Sequence, residues 1–173
     1  MRIVCMSDTH LRHNFSVPAG DVLIHAGDGT GSGHWKEVGR WLAWMAAFPH
    51  AHKLVVAGNH DFFFERDPDL VPSLIPASVI YLKDSGVEIE GVRFWGSPWQ
   101  PEFHDWAFNL PRGEALADRW ALIPSNTDVL ITHGPPHGIL DKLPGPQGSH
   151  VGCEDLLARV ADLSHLRLHV FGH

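Results

Sequence analysis

The chain has 173 residues, enough for one domain with a full hydrophobic core, and its 44% hydrophobic and 19% charged residues mark it as globular rather than disordered. Its 13 Lys and Arg against 20 Asp and Glu give a formal net charge of −7. That balance argues against stable binding to nucleic acid or to an anionic membrane, yet leaves a small anionic substrate open, because bound metal ions invert the local charge. The 14 His residues are many for this length, and His is the commonest metal ligand. Cys5 in an apolar run and Cys153 near a predicted helix start suggest no disulfide framework. The opening apolar stretch is too short for a signal peptide, and no apolar run reaches the length of a membrane span. The expectation is a reduced, soluble, cytoplasmic protein.

Ile3 to Met6 reads as a first buried strand that ends in Ser7-Asp8-Thr9-His10. In extended backbone Asp8 and His10 point the same way and would make a pair of metal ligands. Alone the pattern is weak, since Asp-x-His arises often by chance in a His-rich chain. Arg12, His13 and Asn14 follow in a loop, open either as contacts to an anionic substrate or as ordinary solvated residues. Asp21 to Ala26 reads as a second strand. It ends in Gly27-Asp28-Gly29, where the glycines permit a sharp turn with Asp28 at its tip; a plain Gly-Asp turn has the same sequence. Residues 34–48 read as a helix whose stripe of Val38, Trp41, Leu42, Met45 and Phe48 faces the core, with Pro49 as its stop. His52 to Ala57 is the next buried strand. It leads into Gly58-Asn59-His60-Asp61, around which the whole chain is organised. An amide oxygen, an imidazole and a carboxylate share one tight turn at a strand's C-terminal edge, where open α/β sheets bind ligands.

Phe62-Phe63-Phe64 anchors that turn to the core. Asp67-Pro68-Asp69 predicts a short helix with Asp67 as N-cap and Pro68 at the first helical position. From Val79 the period changes to two. Val79 to Leu82, Val87 to Glu90 and Val92 to Trp95 read as an antiparallel patch that begins a second sheet, with turns at Asp84-Ser85-Gly86 and at Gly91. Residues 96–113 read as a long loop rich in Pro and aromatics, among them Trp99, Phe103, Trp106 and Phe108. Walling a substrate pocket and packing over the core are both open roles for it. A short helix covers 114–120. Asp128 to Thr132 is another buried strand, ending in His133-Gly134-Pro135-Pro136-His137-Gly138, and a Gly- and Pro-rich loop runs on to Ser149. Leu156, Leu157, Val160 and Leu163 mark a last amphipathic helix. Leu166 to Phe171 is a final strand before Gly172-His173. No repeat or linker divides the chain, so residues 1–173 read as a single domain.

Five strands thus deliver polar side chains at their C-terminal ends: Asp8 and His10, Asp28, Asn59 and His60, His133, and His173. Buried Asp and His need partners, and a metal is a natural shared one. Hard oxygen mixed with imidazole, without thiolate, suits Mn²⁺, Fe or Zn²⁺, and the number of donors suggests two ions.

The order Asp-x-His, Gly-Asp, Gly-Asn-His-Asp, Thr-His-Gly and Gly-His resembles the calcineurin-like metallophosphoesterase superfamily. Ser7-Asp8-Thr9-His10, Trp99 with Phe108-Asn109-Leu110-Pro111-Arg112-Gly113, Thr132-His133-Gly134-Pro135-Pro136, Val151-Gly152-Cys153 and Leu168-His169-Val170-Phe171-Gly172 are similar to its metallophosphoesterase-domain-containing subfamily, which is related to class III cyclic nucleotide phosphodiesterases. The resemblance runs from end to end. It implies an α/β fold, a layered sandwich of two mixed β-sheets flanked by helices. It implies Asp8 and His10 on metal one, Asp28 bridging both ions, and Asn59, His133 and His173 on metal two. His60 would sit beside the leaving-group oxygen, oriented by a carboxylate, with Asp61 and Asp28 both candidates. Mn²⁺ is the first choice of ion. The family continues Gly-His-x-His, its second His on metal one. Here the sequence stops at His173, so that ligand and the closing C-terminal strands are expected to be missing, with weaker metal one binding and an uncovered sheet edge.

The function so implied is metal-dependent hydrolysis of small phosphodiesters, with cyclic nucleotides as one class. A hydroxide bridging two cations about 3.5–4 Å apart would attack phosphorus in line, and His60 would protonate the leaving oxygen. Asn59, His60, Arg12 and His137 are the candidate substrate contacts. A phosphomonoesterase is the alternative enzyme; a nuclease fits the −7 charge poorly. A catalytically weak nucleotide- or metal-binding protein is the alternative from another class, given the absent last ligand. The end of the final strand leaves a homo-oligomer open.

Overall fold

The computed structural model describes residues 1–145 and 148–173. Its elements are β1 (Ile3–Met6), β2 (Val22–Ala26), α1 (Trp35–Ala46), β3 (His52–Val56), α2 (Phe63–Arg66), α3 (Val71–Leu74), β4 (Ile80–Tyr81), β5 (Ser85–Ile89), β6 (Val92–Ser97), β7 (Gln100–Pro101), β8 (Asn109–Leu110), α4 (Glu114–Ala121), β9 (Val129–Thr132), α5 (Glu154–Asp162) and β10 (Leu168–Val170). Strands β1 to β4 form a sheet in sequence order, parallel throughout. The second sheet runs β10-β9-β6-β5 and is antiparallel only at the β5–β6 hairpin. Only the second sheet is therefore mixed, where both were expected to be. No helix among the described residues is long and apolar enough to cross a membrane.

The alternation of side chains along the strands sorts the core into layers. Val22, Ile24, Leu54, Val56, Phe94, Val129 and Ile131 meet where the two sheets face each other. Leu23 and Val55 point the other way and cluster with Val38, Trp41, Leu42 and Met45, the fully buried stripe of α1. Leu130, of opposite parity to its neighbours in β9, belongs with Leu116 and Trp120 of α4 and Leu156 of α5. The layers run helix, sheet, sheet, helix. Each large side chain so buried contributes about 1.5–3 kcal/mol, so this layering holds the strand ends in place.

Several local expectations change in three dimensions. β1 is a half-exposed edge strand rather than a buried one, and Cys5 is exposed. Asp67 is a C-cap, not an N-cap: Phe64, with no exposed surface, draws Phe63–Arg66 into a helical turn that ends there. Pro68 follows, and a proline cannot prolong it. Residues 80–81 join the first sheet parallel to β3 instead of opening an antiparallel patch, since alternation marks a strand but not its neighbour. Ser85 and Gly86 lie inside β5 rather than in a turn. The 96–113 segment contains β7 and β8, a short parallel pair. Of the Gly- and Pro-rich loop before Ser149, Pro146 and Gln147 lie outside the described residues.

Candidate metal centre

The C-terminal ends of β1, β2, β3, β9 and β10 converge at one rim, and backbone hydrogen bonds tie their loops together. Asp8, His10 and Leu11 donate their N–H to the carbonyls of Gly27, Asp28 and Gly29 at 2.9, 3.0 and 3.0 Å. Making these bonds bends the first loop out of extended geometry. Asp8, His10 and Leu11 take φ of 52°, 43° and 61°, so the expected extended Asp-x-His pairing does not occur. Asp28 has φ 56°. Gly58 is required by close approach: a Cβ there would lie 2.3 Å from Asp28 Oδ1 and 2.7 Å from His133 Cε1.

The imidazoles are oriented from behind. A neutral imidazole carries one N–H. Nδ1 of His10, His60 and His133 lies 3.0, 2.7 and 2.9 Å from the carbonyl oxygens of Thr30, Gly31 and Ala26. A carbonyl only accepts, so Nδ1 holds the hydrogen and Nε2 keeps a lone pair. All three Nε2 atoms face Asp28, at 3.8 and 4.0 Å from Oδ2 for His10 and His60 and 3.5 Å from Oδ1 for His133. Imidazoles anchored through the second nitrogen in this way are typical of metal ligands.

Asn59 sharpens the case. Its Oδ1 lies 2.9 Å from Nε2 of His133 and 2.9 Å from Nδ1 of His173. With the hydrogen of His133 committed to Ala26, the first contact sets two acceptors against each other. Burial pushes the pKa of His133 down, and that of His173 down to about 4, so neither ring takes a second proton near neutral pH. A cation that takes both lone pairs removes the conflict, as does an Asn59 amide turned over so that Nδ2 donates. Burial also raises the Asp28 carboxyl, with the Asp8 charge adding to it. The residues present fit divalent cations. Two donor groups have ligand atoms within 4.8 Å of one another, His10–Asp28–His60 and Asp8–Asp28–His133, and they share Asp28. This grouping sets Asp8 beside His133 and includes His60, unlike the partition the resemblance implies. His173 reaches the rim through its N–H, 3.1 Å from Asp8 Oδ2.

The structure separates other expected site residues from this centre. Asp61 is fully buried and accepts from Gly58 N at 2.8 Å, Thr30 N at 2.9 Å and Thr30 Oγ1 at 2.7 Å. It clamps the turn from below, and the anchor of the His60 ring is the Gly31 carbonyl instead of a carboxylate. Arg12 is exposed in the loop after Leu11. His137 sits in another cluster, with Nδ1 3.5 Å from Glu154 Oε1 and 3.8 Å from Asp141 Oδ2. The aromatic segment 96–113 packs over the core and also flanks the rim. Trp99, Ala107 and Phe108 are core, while the Trp106 ring lies 4.2 Å from that of His60 and Phe103 5.2 Å from His173. A cavity of about 410 Å³ lined by Phe103, Arg112, Pro135 and His173 opens beside the rim. No sequence pattern marks Thr30, Gly31 or the Thr9 Oγ1–His25 Nε2 contact of 2.9 Å. The anchoring groups are mostly backbone carbonyls, which carry no sequence signal.

The sequence model of the calcineurin-like phosphoesterase family matches residues 1–173. Metallophosphoesterase domain-containing protein 1 of Homo sapiens is 45% identical over 195 residues, which span 99% of this chain and 60% of that protein. A UPF0046 protein of Caenorhabditis elegans is 43% identical over 187 residues, 100% of this chain and 63% of the relative. The chain thus spans about three fifths of the length of these relatives. A solved structure from Aquifex aeolicus, of a protein of unknown function, aligns with 91% of this chain and 86% of its own at TM-score 0.44 and 21% identity. With the family matched from residue 1 to residue 173, the chain belongs to the calcineurin-like phosphoesterases.

Proposed function

We propose that residues 1–173 form one catalytic domain that hydrolyses phosphate esters, with small phosphodiesters as the preferred substrates. The observation that carries this reading is the sharing of Asp28 between two donor groups. Asp8, His10, Asp28, Asn59, His133 and His173 would hold two divalent cations, Mn²⁺ first and Fe or Zn²⁺ as alternatives. Such ions supply Lewis-acid activation of a water and neutralise charge on the phosphoryl oxygens.

The chain's own groups do the rest. The carbonyls of Thr30, Gly31 and Ala26 hold three imidazoles with Nε2 turned inward. His60 is held at the rim between His10 and Trp106, with Nε2 4.0 Å from Asp28 Oδ2. Protonated, it would donate from Nε2 to the departing oxygen. The preference for diesters rests on the subfamily resemblance.

The test is hydrolysis of bis(4-nitrophenyl) phosphate by the purified chain, with added Mn²⁺ and with chelator. Turnover that chelator abolishes and Mn²⁺ restores is expected. No turnover from folded, Mn²⁺-loaded protein refutes the reading in favour of a binding protein. Turnover of 4-nitrophenyl phosphate alone replaces the diesterase by a monoesterase.

A further inference from the structure

We infer that Trp106 is a positioning residue for His60, setting the direction in which its Nε2 can deliver a proton to the leaving oxygen; this rests on the phosphoesterase reading above. The His60 ring is held on several sides. Nδ1 is fixed 2.7 Å from the Gly31 carbonyl. The His10 ring meets it edge-on, with centroids 4.6 Å apart and planes at 76°. The indole of Trp106 covers it at 4.2 Å and 40°. Rotation about the terminal torsion of a His is broad unless packing restrains it. One hydrogen bond at Nδ1 leaves the ring free to pivot about that contact, and the indole closes the space into which it would swing.

The segment that carries the indole is itself held. Ala107 N–H donates to the Asn59 carbonyl at 3.2 Å, and Phe108 N–H to Glu65 Oε1 at 2.9 Å. Asn109 Nδ2 ties the segment back to the carbonyls of Phe103 and His104 at 3.0 and 2.9 Å. Phe62 stacks beyond the indole with centroids 5.8 Å apart, and Arg66 lies 4.5 Å over the Phe62 ring. The segment carrying Trp106 is therefore fastened to the turn that carries His60, and the two keep one relative geometry.

A leaving-group acid matters in proportion to the basicity of the group that departs, so the test compares two diesters. The parent, Trp106→Ala and Trp106→Phe are assayed with Mn²⁺ on diphenyl phosphate and on bis(4-nitrophenyl) phosphate. General acid catalysis contributes about 10²–10⁴-fold in favourable cases, and loss of alignment forfeits part of that. Trp106→Ala is expected to lose about tenfold in kcat on diphenyl phosphate and less than about twofold on the nitrophenyl ester, with Trp106→Phe recovering most of the loss. Equal kcat losses on both substrates, or a change confined to KM, overturn the inference; the latter makes Trp106 a wall that binds substrate. A parent that cleaves only the nitrophenyl ester lacks the acid, which also overturns it.

A readout free of activity separates this inference from the reading beneath it. In chelator, the His60 Nδ1–H of the parent should be slowed in exchange by its bond to Gly31, and it should exchange faster in Trp106→Ala. Unchanged protection in a folded variant overturns the inference even if no ester is turned over.

Discussion

Removing the Asp61 carboxylate should weaken the fold around the site more than it weakens chemistry. Its acceptors satisfy Gly58 N–H at 2.8 Å, Thr30 N–H at 2.9 Å and Thr30 Oγ1 at 2.7 Å, in a position with no exposed surface. Burial, foremost, and the charge of Asp28 raise its carboxyl pKa, while these donors oppose the rise. In Asp61→Ala the Thr30 hydroxyl retains the His60 carbonyl at 3.1 Å, but three backbone N–H groups, those of Gly58 and Thr30 and the longer-bonded one of Gly29 at 3.4 Å, lose their partner. Each buried unsatisfied donor costs about 1–3 kcal/mol, and relief of the buried carboxylate offsets part, so about 3 kcal/mol is expected. For a chain of this size that is a fall in Tm of about 6–12 °C. Asp61→Asn keeps one amide oxygen for the donors and should lose about half as much. The assay is urea and thermal unfolding in chelator, paired with turnover of bis(4-nitrophenyl) phosphate by Mn²⁺-loaded protein. A folded Asp61→Ala variant within about 0.5 kcal/mol of the parent would refute the clamp. An Asp61→Asn variant of parental stability without turnover would move Asp61 into the chemistry.

Asp28→Ala should abolish two-ion binding, because both donor groups include that carboxylate; at least about a hundredfold weaker Mn²⁺ binding is expected by calorimetry. Retention of two ions per chain in the variant would refute the sharing. Burial lowers the pKa of His25 from 6.5 to about 3 against the opposing charge of Asp8. A lowered pKa in the folded state means its contribution is complete above pH 6.5 and lost as the pH falls toward 3. In chelator, His25→Gln should flatten the stability-against-pH slope between pH 6 and 4 by about 1.4 kcal/mol per unit. An unaltered slope in a folded variant would refute that assignment.

Much of this protein is written in local pattern. The buried runs of β2, β3 and β9, the stripe of α1, and Asp28, Asn59, His60 and His133 just beyond strand ends follow from periodicity and turn chemistry within a few residues. Such signals need no knowledge of the partner. What the tertiary structure decided is everything that depends on which segments meet. Ile80–Tyr81 joined the parallel sheet because β3 offered it an edge, a choice that alternation does not encode. Asp8 and His10 left extended geometry because their N–H groups found the carbonyls of residues 27–28, distant in sequence. The same holds for Asp61, whose neighbours Asn59 and His60 suggested chemistry but whose donors lie on Gly58 and on Thr30, 31 residues away. The tautomers of His10, His60 and His133 are set by backbone carbonyls, and every residue type has one. The sequence therefore determined which groups could serve the centre, because side-chain chemistry is local. Only the fold decided where each lone pair points, because the hydrogen bonds that aim it cross between loops.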